Sequence, residues 1–266
     1  NTSLENLEGN IILEADNDIT INENIETTES VELKAGRSIN INADIDTSIG
    51  NGNIDILGNN DEMNFANRSD GKALINQLDG TTLNAGSGTI NIELGNSGEV
   101  GDINLASLTT TGEALINANG GNIVRVSENS LINAGNVLFQ TKGDGGIGLT
   151  DEPLRLDVEN LEAVSGSGGV FFDVLGDVNI GDVSEDVNGI VTAGGDIEIQ
   201  SAGDVTLTET ISTIETVENN SDVEATENTE ITEITENSDT TENIETDSKV
   251  ELKASRSINI NADIDT

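Results

Sequence analysis

Carboxylates are the groups in this sequence best equipped for chemistry. Asp and Glu number 51 against 10 Lys and Arg, and there is no His, Cys, Trp or Tyr. Paired carboxylates beside a Lys or Arg can cleave a polysaccharide, one acid moving the proton while the cation steadies a developing anion. Asp157, Asp173, Asp177 and Asp182 are the acids from which such a set would be drawn. Between Lys72 and Lys249, however, the only cations are Arg125, Lys142 and Arg155. With no His or Tyr the usual proton carriers are missing, and the sequence reads as non-catalytic.

The second chemistry open to these residues is cation binding. The stretch NGNIDILGNND carries Asn53, Asp55, Asn59, Asn60 and Asp61. Oxygen donors of this kind suit Ca²⁺, and Asp55, Asn59 and Asp61 are the candidate ligands. The pattern loosely matches a nine-residue calcium repeat but lacks its tight periodicity. The expectation is therefore no resident cofactor, and a diffuse, weak association with Ca²⁺ that follows from charge alone.

A formal net charge of −41 excludes nucleic acid and anionic membrane as partners, since both demand clustered Lys and Arg. Basic surfaces, neutral glycans and cations stay open. There is no 18-residue apolar run, so no membrane-inserted helix is expected. The absence of cysteine suits export and cytoplasm alike. The chain starts at Asn1 and stops at Thr266 within a repeated pattern, and reads as a fragment.

Those acids must be positioned by strands. Near the N-terminus the sequence repeats at a spacing of about 20: Ile11 and Leu13 return as Val31 and Leu33, Ile19 and Ile21 as Ile39 and Ile41, Ile25 as Ile45. Within each unit apolar and polar residues alternate, the mark of a strand buried on one face. The inward positions are Ile and Val, which favour strands. Gly and Asn between them suit sharp corners. Leucine-rich repeats share the period but require several Leu and a fixed Asn. Only four Phe supply aromatic bulk, so the core must be thin and continuous along an axis. The predicted fold is all-β, a right-handed parallel β-helix of about 20 residues per coil. About thirteen coils would make a rod on the order of 60 Å long.

A longer repeat is superposed. ENIETTESVELKAGRSININADIDT (Glu23 to Thr47) returns as ENIETDSKVELKASRSININADIDT (Glu242 to Thr266). Solenoids accept such duplication because each coil touches only its neighbours. Along the chain, residues 1–57 read as regular coils, 58–87 as irregular coils or a loop insertion, and 88–208 as a Gly-rich β-helix with its one proline, Pro153, at a corner. Residues 209–247 are an acidic Thr/Glu/Asn-rich segment, read either as irregular β coils, which the faint spacing of Ile211, Ile214 and Val217 with Ile231 and Ile234 favours, or as a flexible acidic insert. Residues 248–266 start the duplicated module. Lys34 and Arg37, with their copies Lys253 and Arg256, are expected to pair with acids on adjacent coils. Phe171 and Phe172 are neighbours on a strand, so one should enter the core and the other face out.

The blocks ANGGNIVRV, GGIGLTDEPLRLDVENLEA, GVFFDVLGDVNIGDV and TAGGDIEIQSAGDVTL resemble the repeat region of filamentous-haemagglutinin-like bacterial surface adhesins. The resemblance is carried best by about residues 100–208 and loosely by 10–57. It implies two-partner secretion through an outer-membrane transporter, a place on the bacterial cell surface, and a stalk that serves adhesion, aggregation or biofilm. Partners would be a host or neighbouring-cell surface or its glycans, engaged through the full-length protein. Two other roles stay open: a carbohydrate-binding or polysaccharide-cleaving β-helix, and a disordered acidic cation-binding spacer.

Overall fold

A computed structural model describes residues 9–62, 67–96, 98–213 and 248–266. The chain winds as a right-handed parallel β-helix, and every ladder between its strands is parallel. The right-handed sense is the one that parallel crossovers adopt.

Strands are numbered along the chain and stack as three walls. The first wall holds β1 (Ile11–Ala15), β4 (Val31–Ala35), β7 (Ile54–Gly58), β10 (Ile90–Leu94), β13 (Glu113–Asn117) and the second half of β15 (Ile132–Gln140). It continues through the second half of β16 (Leu154–Ser165) to the pairs β18 (Val178–Ile180) with β19 (Ile190–Thr192), β21 (Val205–Leu207) with β22 (Ile211–Thr213), and β24 (Ile258–Ile260) with β25 (Ile264–Asp265). The second wall holds β2 (Ile19–Ile21), β5 (Ile39–Ile41), β8 (Ala73–Gln77), β11 (Val100–Leu105) and β14 (Ile123–Arg125), extended by bridges at Ile147 and Val170. The third holds β3 (Ile25–Glu26), β6 (Ile45–Asp46), β9 (Thr82–Gly86), β12 (Ser107–Thr110), the first halves of β15 and β16, then β17 (Val170–Val174), β20 (Ile197–Ser201) and β23 (Val250–Ala254).

Alternation explains the core. Val31, Leu33 and Ala35 of β4 are fully buried, while Glu32 and Lys34 between them point out. The register places Ile11 on Val31, Ile19 on Ile39 and Ile25 on Ile45, so the 20-residue sequence repeat is the coil itself. Like side chains stack on like, and one apolar column runs from Ile11 to Leu252.

Three features depart from the sequence expectation. Coils are not uniform. Ile54 stacks on Ile90, a coil far longer than 20 residues, and the first wall is about ten layers deep, roughly 45 Å at ~4.8 Å per layer, rather than thirteen. The regular ladder resumes at Ala73 rather than at Gly88. The excursion before it is tied down by Arg68, which donates to the Gly36 carbonyl at 2.7 Å and to Asn59 Oδ1 at 2.9 Å. Finally, the duplicated VELKA strands lie on different walls, β4 on the first and β23 on the third. The long strands β15 and β16 each run through a corner and join these two walls, shifting the repeat pattern around the axis.

The alternative of disorder fails for the described residues, which share this continuous core. Residues 209–213 end in β22. The expected irregular coils from 214 to 247 lie outside the described residues. No helix among the described residues is long and apolar enough to cross a membrane.

Candidate functional site

The acids singled out in the sequence serve different purposes. Asp55 lies on the outer side of β7, in register between Glu32 and Asn91. Burial and the Glu32 charge push its carboxyl above the usual range, against a hydrogen bond from Asn91. Asn59 is fully buried with φ of 53°. Its amide donates to the Gly95 carbonyl at 2.6 Å and its oxygen accepts from Arg68. Asn60 Oδ1 accepts the Glu62 N–H, while its Nδ2 is buried without an acceptor. Asp61 is exposed. The oxygen of Asn59 is thus already committed to a guanidinium, and no group of three or more acids among the described residues is placed to hold a metal ion.

The four acids considered for cleavage fall on two walls, Asp157 and Asp173 on the third and Asp177 and Asp182 flanking β18 on the first. Asp157 is exposed on β16 and accepts a long bond from Asn133. Asp173 faces Arg155 at 3.6 Å. Asp182, with φ of 62°, accepts from Asn179 and Thr208. Asp177 accepts the Asp204 N–H at 2.9 Å and pairs with Arg256. The Asp204 N–H, then Arg256, holds its carboxyl below the usual range.

Asp177 exemplifies a device that composition alone did not reveal. An Asp or Asn just ahead of a strand, or in the case of Asp102 at the register shift inside β11, accepts the backbone N–H one coil further on. Asp18 takes Ser38 N–H, Asp44 takes Thr82 N–H, Asp102 takes Asn122 N–H, Asp196 takes Lys249 N–H, and Asp204 takes Ser257 N–H, each at 2.8–3.0 Å. At a corner the backbone turns out of the ladder, and this carboxylate satisfies the donor left over. In the Gly-Asp-Ile and Gly-Asp-Val steps Asp102, Asp177, Asp196 and Asp204 are therefore coil-to-coil caps, whereas Asp182 accepts side-chain donors instead. Arg37 completes one of them, donating Nε to Asp18 at 2.8 Å, and this with Ser38 N–H holds the Asp18 carboxyl low. Arg256 repeats the arrangement on Asp204 in the duplicated coil. Lys253 reaches Glu198 on the neighbouring coil, whereas Lys34 pairs with Glu32 on its own strand.

Removing one cap measures its contribution. Asp102 accepts both the backbone N–H and the side-chain amide of Asn122. Asp102→Ala is expected to cost about 1–2 kcal/mol, a value for a charge-assisted hydrogen bond partly open to water. Asp102→Asn, which keeps an acceptor oxygen, should cost less. Urea titrations followed by circular dichroism check both, and equal losses would show that the cap is not the cause.

One groove opens on the outer face of the third wall. Pro153, Phe171, Phe172, Asp173, Glu198 and Gln200 line it with Thr150, around about 460 Å³ that includes space open to solvent. Pro153 stands immediately before β16, at the corner expected of it. Phe172 enters the core, and Phe171 points out but is largely covered. Asp173 and Glu198 each face a cation at 3.6 Å, Arg155 and Lys253, so the groove is locally near charge balance.

No family model matches the chain, and neither a curated protein nor a solved structure matches it.

Proposed function

We propose that this chain is a structural stalk segment of a secreted bacterial surface adhesin, without catalysis. It holds binding parts of a longer protein away from the cell and supports adhesion, aggregation or biofilm. The observation that carries this is the interchangeability of coils: the same VELKA and SININADIDT segments build a coil on either of two unrelated neighbours and on different walls. A scaffold selected for length keeps that property, whereas an active site fixes its surroundings. The resemblance of residues 100–208 to filamentous-haemagglutinin-like repeats supports the same role. It also supports export through an outer-membrane transporter.

Small-angle scattering with far-ultraviolet circular dichroism, at moderate salt with and without Ca²⁺, tests the scaffold. The expected result is a rigid particle with strong β signal in both conditions. Antibodies against the chain should label intact, unpermeabilised producing cells. A flexible coil, or label only after permeabilisation, would sink the proposal. A second reading, docking of a neutral glycan, is favoured by the groove at Phe171, Asp173 and Gln200. Depolymerisation of any polysaccharide by the purified chain would replace both readings with an enzyme.

A further inference from the structure

The groove on the third wall is lined by residues that the ladder brings into register, and they form two columns. Leu154 stacks on Phe172 and Phe171 on Glu198, so Pro153, Phe171 and Glu198 stand in line on the outer face. Beside them Arg155, Asp173 and Gln200 form the second column. Residues two apart on a strand share a face at roughly 6.6 Å, and three layers span roughly 9.6 Å. The groove is therefore a channel along the solenoid axis, longer than it is wide. One side is closed by the turn before β16, where Leu149 pairs with Glu152 and Thr150 reaches the channel.

The two columns differ in chemistry. The first offers apolar carbon, Pro153 and the 9 % of Phe171 that stays exposed, and the exposed side chains of Leu149 and Leu175 flank it. The second offers hydrogen-bonding groups. Arg155 faces Asp173 at 3.6 Å and leaves the Asp173 side chain 38 % exposed. Gln200, one layer on, is exposed, and its side-chain amide makes no hydrogen bond among the described residues. A carboxylate that accepts and an amide that both donates and accepts, about 4.8 Å apart along the ladder, suit neighbouring hydroxyl groups. An apolar strip beside such a pair suits a sugar ring, which has a C–H face and a belt of hydroxyls.

Charge selects among glycans. Asp173 and Glu198 each face a cation, so the channel itself is near balance. Asp151 and Glu152 on the adjoining turn are exposed acids, and the chain carries −41 overall. An anionic chain is repelled on approach, and a cationic one has no reason to prefer this channel to the rest of the surface. Shape selects as well. The columns are straight, and a layer spacing of about 4.8 Å is close to the length of one pyranose ring. An extended β-linked chain keeps step with such columns, and a helical α-linked chain leaves them.

Building on glycan docking at this groove, we propose that its ligand is an extended, neutral, β-linked hexose chain lying along the solenoid axis, one sugar per layer. One ring packs its C–H face on Phe171 and Pro153. Hydroxyls of that ring and the next bond Asp173 and Gln200.

Fluorine NMR of the full chain, labelled with fluorophenylalanine at its four Phe positions, tests this. Phe171→Leu identifies the groove resonance. At least one of cellotetraose, mannotetraose and chitotetraose should shift that resonance saturably and leave the sealed Phe139 unmoved. Maltotetraose, which is α-linked, and tetramannuronate, the anionic counterpart of mannotetraose, should bind at least about tenfold more weakly. Gln200→Ala should weaken the best probe about tenfold, equivalent to ~1.4 kcal/mol, and Asp173→Asn should weaken it less. Glu26→Ala, exposed on the same wall in the first coil, should leave binding unchanged. No shift with any of these oligosaccharides would sink glycan docking at the groove and the axial arrangement with it. Binding that ignores linkage or charge, or that survives Gln200→Ala unweakened, would leave glycan docking standing and overturn the axial, one-sugar-per-layer arrangement.

Discussion

Phe139→Ala should lower the stability of the chain by about 3–5 kcal/mol, the cost of emptying a large, fully buried aromatic site. Phe139 and Phe172 are the two largest side chains in the core with almost no exposed surface. Their rings meet across the interior at 5.4 Å, tilted by 34°, an arrangement that adds about 0.5–1.5 kcal/mol beyond burial. The position also matters. Phe139 stacks on Ala163, and Phe172 on Leu154, so the pair fills the section where β15 and β16 pass through their corners. A cavity there cannot be closed by a neighbouring coil sliding inward, because coils are held at the ladder spacing by their backbone hydrogen bonds. Phe171→Ala should cost less, about 1–2 kcal/mol, because this ring, though largely covered, lines a groove open to solvent and leaves no sealed cavity. Urea denaturation of the two variants beside the parent protein checks the contrast. A smaller loss at Phe139 than at Phe171 would mean that the middle coils are not packed as described.

The 20-residue period was legible because it rests on local chemistry. Ile19 and Ile21 had to share a face, and their partners Ile39 and Ile41 sit directly on them. Three other properties were hidden for one common reason, that they depend on groups brought together by winding. The cap of Asp196 on Lys249 N–H spans 53 residues, and nothing near Asp196 separates a cap from a solvated acid. The long coil from Ile54 to Ile90 showed in the sequence as irregular coils or a loop insertion over 58–87, but its register was hidden, because the wall continues unbroken across it. Glu162 and Glu209 are brought to one segment, 181–189, only by winding, each accepting a backbone N–H from it. Conversely, Asn59 drew attention as an oxygen donor for Ca²⁺, and its type and setting fit a backbone need: a left-handed corner residue whose amide bonds the next coil. Asn and Asp at β-helix corners look alike in sequence whether they hold an ion or a neighbouring strand.

The melting temperature in low salt should be several degrees higher near pH 5 than near pH 8, and added salt should close the gap from the alkaline side. Glu162 and Asp55 carry carboxyls raised chiefly by burial. The folded chain thus holds their protons more tightly than the unfolded chain. The stability they contribute is complete below the ordinary carboxyl range and is lost as pH rises through their folded values. The net charge of −41 acts in the same direction, since deprotonation adds to repulsion between coils stacked at the ladder spacing. Asp18 and Asp177 have the opposite sign. Their carboxyls are held low by Arg37 and by the Asp204 N–H respectively, so what they contribute is present at neutral pH and lost as pH falls through their folded values. The two tendencies place the optimum in the mildly acidic range rather than at neutrality. Raised Lys34, Arg37 and Arg256 cations lose their contribution only in strong alkali. Because repulsion among exposed carboxylates is screened within about 8–10 Å at physiological salt, sodium chloride should raise the melting temperature near pH 8 more than near pH 5. Glu162→Gln combined with Asp55→Asn should recover part of the alkaline loss at low salt and change little near pH 5. Thermal scans by circular dichroism across pH and salt decide the matter: a melting temperature that rises from pH 5 to pH 8 would show that the capped aspartates outweigh the buried acids and the charge of the whole solenoid.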